Sequence, residues 1–139
     1  MSTSSEESAR EVWLRMSDLV LDNTRRRQVS EAVGLSFGRT RALRRLARPP
    51  MSMGELAIAL DIDPANATAV VDELESMGLS RRRPNPNDRR AKVVEATRKG
   101  KELARRADAI LSTPPPGLSA LGIDELEQLR GVLERVAGG

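Results

Sequence analysis

Cysteine, histidine and tyrosine are absent from this 139-residue chain, and its aromatic side chains are one tryptophan and one phenylalanine. Without cysteine there can be no disulfide, no thiolate ligand and no thiol switch. Without histidine the commonest metal ligand and the commonest general base are missing. The sequence also has no glycine-rich phosphate loop, no nucleophile elbow and no metal-ligand spacing. No catalytic residues, no metal site and no cofactor are therefore expected, and the chain is not read as an enzyme. Two aromatic rings line a ligand pocket poorly, so Trp13 and Phe37 are assigned to the core or to a dimer contact. No apolar run approaches the ~20 residues needed to cross a bilayer. The opening "MSTSSEESAR" lacks the basic start and apolar centre of a signal peptide. No membrane association and a cytoplasmic location are expected.

What is present is an uneven distribution of charge. The formal net charge is only +3, too small on its own to indicate a nucleic-acid partner. Met1 to Gly78 holds 10 basic and 12 acidic residues, Leu79 to Lys101 holds 9 and 2, and Glu102 to Gly139 holds 4 and 6. One positive focus thus sits in an otherwise slightly acidic chain. Its centre is "SRRRPNPNDRRAKVVEAT", Ser80 to Thr97, where Arg81, Arg82, Arg83, Arg89 and Arg90 surround a Pro-Asn-Pro-Asn sequence.

Hydrophobic periodicity reads as mainly α. Val12, Met16, Leu19, Val20 and Val29 keep rough helical spacing, which predicts one long helix from about Glu6 to Val33, ended by Gly34. Ser36 is placed to cap a second helix carrying Leu43, Leu46 and Ala47, and Pro49 and Pro50 stop it. "SMGE", Ser52 to Glu55, is a capping box in which each side chain should bond the other residue's backbone N–H. After a short helix to Leu60, Asp63 is an N-cap and Pro64 stands at the first helical position. The stripe Ala67, Val70, Val71 and Leu74 follows, to Gly78. Two short capped helices joined by a tight turn form a helix-turn-helix.

After Gly78 the period changes. Leu79 to Arg83 and Ala91 to Ala96 read as two short strands joined by a turn-forming "PNPND", a β-hairpin with a cationic tip. Helical spacing resumes from Arg98 to Leu111, stops at Pro114 to Pro116, which read as a rigid connector, and returns from about Asp124 to Ala137 with Leu126, Leu129, Leu133 and Val136 as its stripe. Helix-turn-helix followed by a basic hairpin is a winged helix. Arginines crowded on one loop repel one another, and phosphates with a narrow minor groove would supply the missing negative charge, releasing counterions. A merely solvated basic hairpin is the plainer alternative.

The chain resembles the multiple-antibiotic-resistance regulator (MarR) family. "NDRRAKVVEATRKGKEL" is similar to the family's wing signature, and "GLSFGRTRALRRLA", "MGELAIALDIDPANATAVVDELESMGL" and "DELEQLRGVLERV" match in the same order along the chain. The resemblance implies a mainly α fold with a β-hairpin wing, a winged helix-turn-helix part over 34–97, and helical dimerisation segments over 1–33 and 98–139, all within a single domain. It implies a homodimer that regulates transcription on double-stranded DNA at an inverted repeat, as a repressor released by a small-molecule effector. On this resemblance Arg90 reaches the minor groove, beside Arg89, Arg82 and Arg83, while Asp88 holds the wing by pairing with arginine. Pro64, Ala65, Asn66, Thr68 and Ala69 would face the major groove, where Asn66 and Thr68 have the chemistry to bond base edges or phosphates. Arg39, Arg41 and Arg44 could touch phosphate or simply occupy an exposed face. One departure stands out: this recognition helix has no arginine or lysine and carries Asp72, Glu73 and Glu75. Those acids favour the rival reading, a winged-helix protein-interaction module with little specific DNA binding.

Overall fold

The computed structural model describes residues 2–21 and 23–138. Helices α1 (Ser2–Val20) and α2 (Asn23–Val33) occupy the stretch for which periodicity predicts one long helix. The chain bends at Leu21, and Asp22 lies outside the described residues. Composition favours a break here, because Asp, Asn and Thr, all weak helix formers, follow one another at 22–24, and α1 finds no core in the protomer that would hold the two helices in line. Val29 and Val33 of α2 are buried, whereas Val12, Leu14, Leu19 and Val20 of α1 are exposed. Trp13 is 64% exposed, so it is not the core residue that its size suggests.

Gly34 ends α2 at φ 72, a left-handed conformation that costs glycine little. Helix α3 (Phe37–Leu46) then starts at Ser36, whose hydroxyl accepts the Arg39 N–H at 3.3 Å. Helix α4 (Met53–Leu60) is capped by Ser52, whose Oγ accepts the Glu55 N–H at 3.1 Å. The expected capping box is half formed: the Glu55 carboxylate takes the Ser52 hydroxyl, at 3.1 Å, in place of the Ser52 amide. Asp61 turns the chain at φ 53, a conformation that Asp tolerates better than most residues, and the Ile62 N–H closes the turn on the Ala57 carbonyl at 3.0 Å. Asp63 then accepts the Asn66 N–H at 2.8 Å and starts α5 (Pro64–Ser76).

The core lies where these helices meet the hairpin. Leu43 and Leu46 of α3, Leu56 of α4, Val71 and Leu74 of α5, and Leu79 and Val94 are almost completely buried. Each such side chain contributes about 1.5–3 kcal/mol relative to exposure. Strands β1 (Ser80–Asn85) and β2 (Asp88–Ala96) pair antiparallel, both running further into the turn than the sequence predicts. A bridge from Met51 to Val94 fastens the α3–α4 connection to β2. Thr97 joins wing to helix: its hydroxyl donates to the Gly78 carbonyl at 2.6 Å and accepts the Gly100 N–H at 3.1 Å, starting α6 (Arg98–Leu111). Helix α6 packs on α2 and α3. The proline run is not only a connector, since Pro116 opens a short helix α7 (Pro116–Ser119), its missing N–H being harmless there. The last helix, α8 (Ile123–Gly138), buries none of its residues in the protomer.

Candidate nucleic-acid interface

The hairpin is not a regular ladder at its tip. Pro84 pairs with Lys92 and the next residue, Asn85, pairs with Asp88, so Arg89, Arg90 and Ala91 bulge out of β2. Pro84 supplies the cause, because a residue without an N–H cannot continue the ladder. Bulges re-aim side chains, and this one projects Arg89 and Arg90 as exposed residues that belong to no ion pair among the described residues. Two short side chains hold the tip. Asn85 Oδ1 accepts the Asn87 N–H at 2.9 Å, and Asp88 Oδ1 accepts the Arg90 N–H at 3.0 Å. Asp88 therefore holds the wing through the Arg90 backbone. The expected pairing with an arginine side chain is not formed among the described residues, since the bulge brings an amide, and no guanidinium, to the carboxylate.

The remaining wing arginines are occupied. Arg81 and Arg83 lie on one face of β1 and both meet Glu95, Arg81 Nε at 2.9 Å in a hydrogen bond and Arg83 Nε at 2.8 Å without hydrogen-bond alignment. Glu95 is only 7% exposed. Burial pushes its carboxyl up, but the Arg81 hydrogen bond and the attraction of Arg83 and Arg81 outweigh this and leave it below the usual range. Arg82 points the other way, onto α5, where it pairs with Asp72 at 2.7 Å and with Glu75. Arg82 and Arg83, grouped with the wing tip in the sequence, are thus not free cations in the protomer.

On α5 the structure separates two halves. Pro64, Ala65, Asn66, Thr68 and Ala69 are exposed on the first turns, which carry no charged side chain. Asn66 Nδ2 donates to Asp63 Oδ2 at 2.8 Å and Thr68 Oγ1 donates to the Pro64 carbonyl at 3.0 Å, so both polar side chains are held locally. The acids cluster in the second half and are met from two sides: Arg82 takes Asp72 and Glu75, and Arg39 of α3 takes Glu73. The hydrogen bond that Arg39 donates to the Glu73 carboxylate lowers the Glu73 pKa and raises the Arg39 pKa. Arg39 is the residue whose role the sequence leaves open, and no local pattern could pair it with a partner 34 positions away. Arg44 likewise pairs with Asp108 of α6, whereas Arg41 is exposed. The wing tip thus offers two exposed guanidiniums outside any ion pair among the described residues, and the first turns of α5 offer an exposed, uncharged surface.

Comparison with known proteins agrees with this fold. The MarR family model matches residues 35–92, from the start of α3 into β2. An uncharacterised HTH-type transcriptional regulator of Bacillus subtilis, YhbI, is 33% identical over 91 residues, which cover 63% of this chain and 59% of that protein. The chain thus spans under two thirds of the length of this curated relative. A MepR point mutant from S. aureus has the same fold, with a TM-score of 0.72 at 20% identity, covering 92% of this chain and 96% of that one. A second MepR mutant, bound to an oligodeoxyribonucleotide, superposes with a TM-score of 0.63 at 20% identity over 92% and 95% of the two chains. The chain has the winged-helix fold of these neighbours, and its residues 35–92 match the MarR family model.

Proposed function

We propose that this protein is a double-stranded-DNA-binding transcriptional regulator that acts as a homodimer on an inverted repeat, with the uncharged start of α5 in the major groove and Arg90, beside Arg89, in the minor groove. The observation that carries the reading is the bulged wing tip, where two unpaired arginines project past the hairpin ladder. The oligodeoxyribonucleotide bound by the related MepR fold supports it. Winged helix 34–97 would read DNA, and 1–33 with 98–139 would dimerise. The exposed apolar side chains of α1 and α8, among them Leu19, Val20, Val132 and Val136, are the surface a second copy would cover. Repression, and release by a small molecule, are the further parts of the proposal. The rival protein-binding module drew its support from the acids of α5, and that support weakens because Arg39 and Arg82 neutralise them in place.

The test is binding of wild type, Arg90→Ala and Asp88→Ala to DNA flanking the protein's own gene and to random DNA, at several salt concentrations. Arg90→Ala is expected to cost about 1–3 kcal/mol on the specific site and to lower the salt slope by about one. Asp88→Ala is expected to weaken specific binding, because Arg90 loses the hydrogen bond that sets its backbone, while random DNA is bound as well or better. Tighter specific binding by Asp88→Ala, with Arg90→Ala unchanged, would make the wing a solvated basic loop.

A further inference from the structure

On the side of α6 bearing Lys101, Arg105 and Asp108, a cleft of about 330 Å³ runs between α6 and α3, lined by Arg44, Ala47, Arg48, Lys101, Ala104, Arg105 and Asp108. It contains no residue of the wing or of α5. Four cations line it: Arg44 on the last turn of α3 and Arg48 just past its end, and Lys101 with Arg105 at i,i+4 spacing on α6, where like charges repel unless an anion compensates. Asp108 neutralises Arg44 alone. Arg48, Lys101 and Arg105 belong to no ion pair among the described residues, although other surface arginines of this chain do find acids. The floor is made by the small residues Ala47 and Ala104, which leaves room between the two basic rows.

We propose that this cleft is a binding site for a compact polyanion, a small molecule carrying two or more oxyanion groups of the diphosphate or polycarboxylate kind. Guanidinium forks match such oxygens in bidentate fashion, and Lys101 adds a point charge. A singly charged or uncharged ligand would leave most of the cluster's charge uncompensated. The proposal is independent of the DNA reading, since it uses neither the wing nor α5.

The experiment is calorimetric titration of the full chain with inorganic pyrophosphate and, separately, with citrate, at fixed ionic strength set by sodium chloride. Wild type is compared with Arg48→Ser/Arg105→Ser and with Arg89→Ser/Arg90→Ser. Saturable binding of one anion per protomer is expected, weakened by roughly tenfold or more in the cleft variant, the loss that follows from deleting charge-assisted hydrogen bonds, and unchanged in the wing variant. Tighter pyrophosphate than citrate assigns a phosphorylated ligand, and the reverse a polycarboxylate. Circular dichroism and melting of the cleft variant separate loss of the site from loss of the fold, and Arg48→Lys/Arg105→Lys, which keeps the charge, should restore part of the affinity. The proposal is overturned if neither anion saturates, if the wing variant alone loses binding, or if the cleft variant lowers DNA affinity and salt slope without any anion binding, which would make the cluster a DNA-backbone contact.

Discussion

Arg82→Ala distinguishes two ways in which a wing arginine can serve DNA binding. Arg82 is held between Asp72 and Glu75 of α5, whose side chains are 60% and 42% exposed. Such partly exposed pairs are each worth about 0.2–1 kcal/mol after solvent screening, so its loss should destabilise the fold by about 0.5–2 kcal/mol. In a domain of this size that is a fall in Tm of a few degrees. The consequence for binding is electrostatic. Two carboxylates on the helix proposed to enter the groove share this one counterion, so its loss changes the local charge by one unit, and a unit charge ~10 Å from a phosphate in water is opposed by about 0.4 kcal/mol. That amounts to roughly a twofold loss of affinity at low salt, fading as the Debye length shrinks. Titration of labelled DNA by fluorescence anisotropy measures this directly. If Arg82 acts by masking, Asp72→Asn and Glu75→Gln added to Arg82→Ala should recover most of the lost affinity. If the triple variant stays as weak as Arg82→Ala, and the salt slope of both has dropped by about one, Arg82 contacts phosphate itself and the masking argument fails.

Other consequences concern stability and assembly. A Cβ on Gly100 would lie 2.0 Å from the Leu79 carbonyl oxygen and 3.2 Å from Leu43 Cδ1, so Gly100→Ala should destabilise by about 2–4 kcal/mol in urea melts, against the small gain that alanine normally gives a helix. Glu95 has a folded pKa below its unfolded value, so its contribution is present above the unfolded carboxylate range and is lost as pH falls through the folded pKa. Melting followed from pH 7 to pH 3 should show a decline beginning near pH 4.5 that is shallower in Glu95→Gln. Val132→Glu/Val136→Glu should turn a dimer seen by light scattering into monomer while leaving the winged helix folded, because both residues are exposed in the protomer; wild type that scatters as monomer at micromolar concentration would remove the dimer from the proposal.

The sequence by itself determined the elements whose signals are local. Ser36, Ser52, Asp63 and Thr97 each start the helix that follows, because an N-cap hydroxyl or carboxylate acts within three residues of itself. The change from helical to alternating period after Gly78 marked the wing, and its arginine count marked the positive focus, since both are properties of consecutive residues. What only the tertiary structure decided depends on residues distant in the chain. The expected long first helix is interrupted after Val20 because α1 has no core in its own protomer to hold it straight against weak local propensity. Five wing arginines look equivalent in sequence. The strand alternation aims Arg81 and Arg83 at Glu95 and Arg82 at α5, and the bulge opposite Pro84 frees Arg89 and Arg90. The acids of α5 read as a liability for DNA until the fold brings Arg39 and Arg82 beside them. Charge in a sequence is a count, whereas the charge available to a partner is what remains after folding has paired it, and that remainder is set by distance in space.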